Sequence, residues 1–213
     1  MRIVQTSTPN REPLLLDEVK EHLRIDSDHE DAKIAGLIAA ARAAVEMASG
    51  LYLIDREIDI FIDGWGDIQP VGVKSCHGDL DHVVPSNAFN SKALLPLKPV
   101  SGVNAIVLID EEDSETEWNA ANYQLQAGLE PKLSLTSGAS WPTPPRRIEG
   151  IKISLTTGFG SDWNAVPETL RQAIMMMATK LYVARGDEDM SQVNLLKSSG
   201  ASELLQSFRQ VRI

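Results

Sequence analysis

Residues 30–66 read EDAKIAGLIAAARAAVEMASGLYLIDREIDIFIDGWG, and within them the spacing of apolar side chains changes once. Up to Ala48 the spacing is helical: Ile34, Leu37, Ile38, Ala41, Val45 and Ala48 fall on one stripe. At the rise of an α-helix this element spans about 30 Å. Gly50 follows as the residue able to end it in left-handed backbone. From Leu53 the period drops to two, with Ile54, Ile58, Ile60 and Ile62 set against Asp55, Glu57, Asp59 and Asp63. That alternation predicts a half-buried strand ending at Gly64-Trp65-Gly66.

Working outward toward the N-terminus, Ser27-Asp28-His29-Glu30 matches a capping box. The Ser27 hydroxyl is expected to accept from the Glu30 amide while the Glu30 side chain reaches back. Before it, Leu16, Val19 and Leu23 beside His22 predict a short amphipathic helix over 16–23, and residues before Pro13 read as a polar lead. Ala39, Ala40, Ala41, Ala43, Ala44 and Ala48 would let another helix approach closely, from this chain or from another copy.

Toward the C-terminus, further strands are expected at Ala93–Leu97, Val103–Asp110, Tyr123–Leu125, Lys132–Leu135 and Ile151–Thr157. Gln69–Lys92 has no sustained period and reads as a long loop or excursion. Asp110–Glu117 reads as a solvated acidic tip. After Thr157-Gly158-Phe159-Gly160, a turn, Pro167 and Glu168 open a helix with Leu170, Ile174, Met177, Leu181 and Ala184 on one face. The fold class is therefore α+β: N-terminal helices and a C-terminal helix as a base, with a β-rich insertion between the second and the C-terminal helix. One domain is expected over 1–213, divided into a helical part at 14–50, a β-rich insertion at 53–157, a C-terminal helix at 167–185 and a looser arm at 186–213.

The chain has 213 residues and a net charge of −10, with 43% hydrophobic and 23% charged residues, which is ordinary composition for a folded chain. Such a balance argues against a protein built to grip phosphates, whose affinity comes from Lys and Arg. Cys76 is the single cysteine, so no intrachain disulfide forms. Neither a membrane-spanning apolar window nor a signal-peptide pattern is present, so neither membrane insertion nor export is expected.

The densest set of potential ligands is Cys76, His77, Asp79, Asp81 and His82, but a single thiol without paired C-x-x-C spacing does not make a zinc site. Adjacency of Cys76 and His77 is not a catalytic pair, which the fold must bring together. His22 and His29 fall on a helix surface or cap. Gly158-Phe159-Gly160 lacks the third glycine of a dinucleotide fingerprint. Met175-Met176-Met177 could offer an adaptable surface, although Met177 sits at a core position. No catalytic residue, cofactor or metal is expected.

The landmarks in order resemble the head-tail connector family of tailed phages, prophages and gene transfer agents. The resemblance is carried by Pro13-Leu14-Leu15-Leu16-Asp17-Glu18-Val19-Lys20-Glu21-His22-Leu23-Arg24-Ile25, and by the helix ending Ala48-Ser49-Gly50 before the strand to Asp63-Gly64-Trp65. It continues in Leu94-Leu95-Pro96-Leu97-Lys98-Pro99-Val100 and in Thr157-Gly158-Phe159-Gly160 with Val166-Pro167 and the Leu170–Arg185 helix. It implies a ring, generally dodecameric, beneath the portal protein, which extends the DNA channel and offers a surface to the next neck or tail protein. DNA would pass without sequence-specific binding. The implied location is the virion neck, with assembly in the host cytoplasm, and the family implies no catalytic residues. The Gln69–Lys92 segment is longer than the family pattern.

In that frame the C-terminal arm is the expected partner-binding element. Leu204, Leu205, Phe208 and Val211 recur near helical spacing with Arg209 and Arg212 among them, beyond the polar Ser198-Ser199-Gly200, and are expected to dock on the portal or a neighbouring subunit. Two other function classes compete with assembly. One is a β-domain module for a small ligand or carbohydrate, stacking on Trp65, Trp118, Trp141 and Trp163. The other is a hydrolase using the Cys76–His82 loop.

Overall fold

A computed structural model describes residues 1–68, 91–184 and 192–208, without the side chains of 192–194. Most of the expected excursion, including Cys76, His77, Asp79, Asp81 and His82, lies outside the described residues, as do Arg209, Val211 and Arg212. The fold is α+β, and the chain divides into two compact units: 1–8 with 56–157, and 9–55 with 158–213.

The second unit is helical. α1 (Leu16–Leu23) starts with the Leu15 amide donating to the Glu18 carboxylate at 3.2 Å and ends at Arg24 in left-handed backbone. α2 (Asp31–Ser49) ends, as its sequence predicts, at Gly50 with φ 71°. α3 (Glu168–Ala184) is followed by α4 (Gln192–Ser198) and α5 (Ala201–Leu204). The core combines Val19 of α1, Ile34, Ile38, Ala41 and Val45 of α2, and Leu170, Ile174 and Met177 of α3.

The capping box is not what starts α2. The helix begins at Asp31 with no side-chain cap. The Glu30 carboxylate instead accepts from the Tyr182 hydroxyl of α3 and pairs with Lys33. A tertiary partner outcompetes the local one.

Leu53 and Ile54 also depart from expectation. Although apolar alternation carries the expected strand back to them, both are fully buried in the helical core, and the strand begins at Arg56. There Leu53–Asp55 is bonded to the glycine turn: Phe159 N–H donates to Leu53 C=O at 3.2 Å, and Asp55 N–H to Gly160 C=O at 3.0 Å. Gly158 has φ 144°, and a Cβ on it would lie 2.4 Å from the Asp55 nitrogen, so the turn requires glycine.

The first unit holds the sheets. β1 (Arg2–Gln5), β2 (Arg56–Ile62), β8 (Ile151–Thr157), β4 (Val100–Ile109) and β5 (Glu115–Glu117) form an antiparallel five-stranded sheet in the order β1-β2-β8-β4-β5. β3 (Lys92–Leu94), β7 (Lys132–Leu135) and β6 (Tyr123–Gln126) form a second sheet in the order β3-β7-β6. In β2 and β8 the predicted alternation is met directly: Ile58, Ile60, Ile62, Ile151, Ile153 and Leu155 are all fully buried.

Two strands carry no readable signal. β1 falls in the expected polar lead; it is held by pairing Ile3 with Ile60, and by the Ser7 hydroxyl accepting from the Glu57 amide at 2.7 Å. β5 falls in the expected acidic tip, whose turn proper closes earlier, where an Asp110 carboxylate oxygen accepts from the amides of Glu112 and Ser114.

Candidate functional site

The side chains that could do chemistry are dispersed. Among the described residues no group of three His, Cys, Asp or Glu side chains could hold a metal ion. His22 and His29 are exposed. No described helix is long and apolar enough to cross a membrane.

Several of the described cations are paired with carboxylates, which matters for any DNA nearby. Arg42 bonds Glu12 at 2.7 Å and Glu46 at 3.0 Å, and Lys152 bonds Glu115 at 2.6 Å. Lys20 bonds Asp28 at 2.6 Å and Asp31 at 2.8 Å; the hydrogen bond from Lys20 holds the Asp28 carboxyl below its ordinary range. Arg171 reaches Glu18 and Glu168, donates to the Pro13 carbonyl, and lies 4.5 Å from the Trp163 ring. It thereby ties the Pro13–Ile25 stretch to α3. Guanidinium and ammonium groups committed in this way are not free to displace counterions from phosphates.

The tryptophans do not form an open stacking platform. In the β unit Trp65 is 4.2 Å from Trp141 and 5.8 Å from Trp118, centroid to centroid, and Trp118 stacks on Tyr123 at 5.2 Å. These rings pack on one another, Trp65 is buried, and its indole N–H donates to the Pro142 carbonyl at 2.9 Å. Trp163 belongs to the helical unit, beneath Arg171. This is the arrangement of a satellite core, and nothing in the spacing of four tryptophans along the chain announces it.

Packing of Trp141 also anchors the long connection 136–150 between β7 and β8. Arg146 pairs with Asp113, Arg2 with Glu149, and the Glu149 amide donates to Asp63 at 2.8 Å. The hydrogen bond from Arg2 keeps the Glu149 carboxyl below its usual range. Held at these points, the loop still presents Ile148 73% exposed.

The expected C-terminal arm is folded over its described part. Gly200 turns the chain with φ 78°, and Ala201 and Leu205, one helical turn apart, are fully buried in the helical core. Leu204 and Phe208 are half-buried against the same core. Leu205 is therefore enclosed by its own chain and is not a free docking residue. The polar Ser198-Ser199-Gly200 is a reversal and not a linker: the Ser199 amide donates to Leu195 C=O at 3.0 Å.

Exposed apolar surface lies elsewhere. Met47 at the end of α2 is 69% exposed and Val183 on α3 68%. Met177 is core as its spacing predicts, with Met175 packed against it.

The chain is similar to known proteins in both sequence and fold. The family model described as "Phage gp6-like head-tail connector protein" matches residues 14–86. No curated protein matches the chain. A chain in the neck of an empty gene-transfer-agent particle computed with C6 symmetry is similar over 100% of this chain and 97% of its own, at 26% identity and a TM-score of 0.74. A chain in the neck of the native particle computed with C12 symmetry is similar over the same shares at 26% identity and 0.73, and one from the native virion at 25% and 0.72. The chain is thus similar in sequence, over its first helices and first long strand, to the head-tail connector family, and in fold, along its whole length, to chains of gene-transfer-agent necks.

Proposed function

We propose that the protein is a non-enzymatic adaptor of the particle neck, forming a ring of copies beneath the portal, extending the DNA channel and joining head to tail. The observation that carries this reading is the whole-length similarity to chains in necks computed with C12 and C6 symmetry. The charge pattern supports it: a chain of net charge −10, with described cations such as Lys20, Arg42 and Lys152 bonded to carboxylates, holds passing DNA weakly. Its partners are then neighbouring copies, the portal and the next neck or tail protein, and its place is the virion neck after assembly in the host cytoplasm. For the portal contact we propose the end of the chain, with Leu204, Phe208, Arg209, Val211 and Arg212 contributing and Leu205 anchoring them from the core. The test is electron microscopy of the full chain mixed with its portal. A closed ring on the tail-facing side of the portal is expected; a chain that leaves the portal bare, or that binds it only as isolated copies, overturns the reading.

A further inference from the structure

α2 is apolar on the side it buries and also on the side it shows. Inward, Ile34, Ile38, Ala41, Ala44 and Val45 are buried. A surface helix ordinarily turns charged residues outward, and one that is apolar all round is covered all round. The exposed positions of α2 are instead Ala32, Ala35, Gly36, Ala40, Ala43 and Met47, with Lys33 their one charge and Glu30 its partner at 3.4 Å. Met47, 69% exposed, is a large flexible side chain with no neighbour there to bury it, and a Cβ on Gly36 would meet nothing within 4 Å.

What covers this side follows from charge. Thirty acidic residues against twenty basic ones make any two copies repel over most of their surface, so copies meet at least cost where carboxylates are absent. No carboxylate is among the exposed positions of α2, a length of about 28 Å. The alanines and Gly36 let a facing element come close, near the short end of the usual 8–10 Å interaxial range. We propose that the outward face of α2 is the surface on which a second copy of this chain docks, so that neighbours in the ring meet through it. This rests on the ring reading above.

The test uses particles made by cells whose gene for this chain is altered. With p-benzoylphenylalanine in place of Met47, illumination of purified particles is expected to give a chain–chain dimer whose cross-linked peptides both come from this protein. A product with any other protein, or no product, overturns the inference. With Ala40→Glu, incorporation into particles is expected to fall about tenfold or more, since a carboxylate is forced into a contact between two acidic chains. Ala40→Ser should incorporate normally, and the melting temperature of the purified Ala40→Glu chain should be unchanged because the site is exposed. Normal incorporation of Ala40→Glu also overturns the inference. Particles that lack a ring of the wild-type chain sink the ring reading itself, whereas an intact ring with Met47 cross-linked elsewhere sinks only the assignment of α2.

Discussion

β2 and β8 of the β unit and α2 of the helical unit are dressed differently on the side they do not bury. On β2 and β8 every second residue is buried, and the residues between are polar or dressed by neighbours: Arg2 lies 4.3 Å over Phe61, Lys152 bonds Glu115, and the Thr156 hydroxyl bonds Asn104 at 3.0 Å. α2 in the helical unit buries one side equally well, and leaves alanine, glycine and methionine on the other. Where the β unit exposes apolar side chains, as at Ile3 and Ile148, they lie on its edge strand and on a loop. The helical unit exposes small and apolar residues along one helix, at Ala35, Gly36, Ala40, Ala43 and Met47, and buries Leu205 in its core.

This contrast can be broken by unfolding the units separately. Leu205→Ala and Ile153→Ala each empty a fully buried position, and each is expected to cost about 2–5 kcal/mol. Three of the four tryptophans lie in the β unit, so their fluorescence reports that unit while far-UV circular dichroism follows the helices. Ile153→Ala should lower the fluorescence midpoint most, and Leu205→Ala the helical midpoint. A single transition moved identically by both substitutions would show that the chain unfolds as one body and that the contrast is superficial.

A smaller effect is expected where both units' chain segments begin and end. Gly158→Ala places a methyl 2.4 Å from the Asp55 nitrogen at a φ of 144°, and should cost roughly 1–3 kcal/mol, read in urea denaturation. Wild-type stability in that variant would mean the turn is free to rearrange.

The smallest effect concerns Asp55 itself. One of its carboxylate oxygens is buried without a hydrogen-bond partner, and burial pushes its carboxyl above the ordinary range. A raised carboxyl means that the folded state holds the proton more tightly. The resulting penalty is absent below the unfolded value of about 4 and grows as pH rises through the folded one. Asp55→Asn should therefore melt slightly higher than wild type at neutral pH, with the gap closing below about pH 4. A gap that persists in acid would assign the gain to something other than charge.

Legibility in the sequence divides along the same line. α1, α3 and the body of α2 follow from apolar spacing, and β7 and β8 begin and end where alternation places them. The errors occur where a distant partner decides. Glu30 is drawn from its local cap by Tyr182, Leu53 and Ile54 belong to the helical core despite a strand-like period, and β1 exists because β2 offers it an edge. The end of the chain shows the same limit: a stripe such as Leu204, Leu205 and Phe208 reads alike whether it is filled by another protein or by its own core. The aromatic cluster joins residues 65, 118, 123 and 141, which only the folded β unit brings together.

The interleaving of the chain sets an order on synthesis. Every strand of the β unit has been made once Thr157 leaves the ribosome, whereas Val19, Ile34 and Val45 must wait for Ile174 and then Leu205 before their core can close. The surface that a neighbouring copy would use is thus among the earliest written and the last to be set in place. A nascent chain broken between Thr157 and Leu205 carries every strand of the β unit and still lacks part of the helical core against which α2 is set.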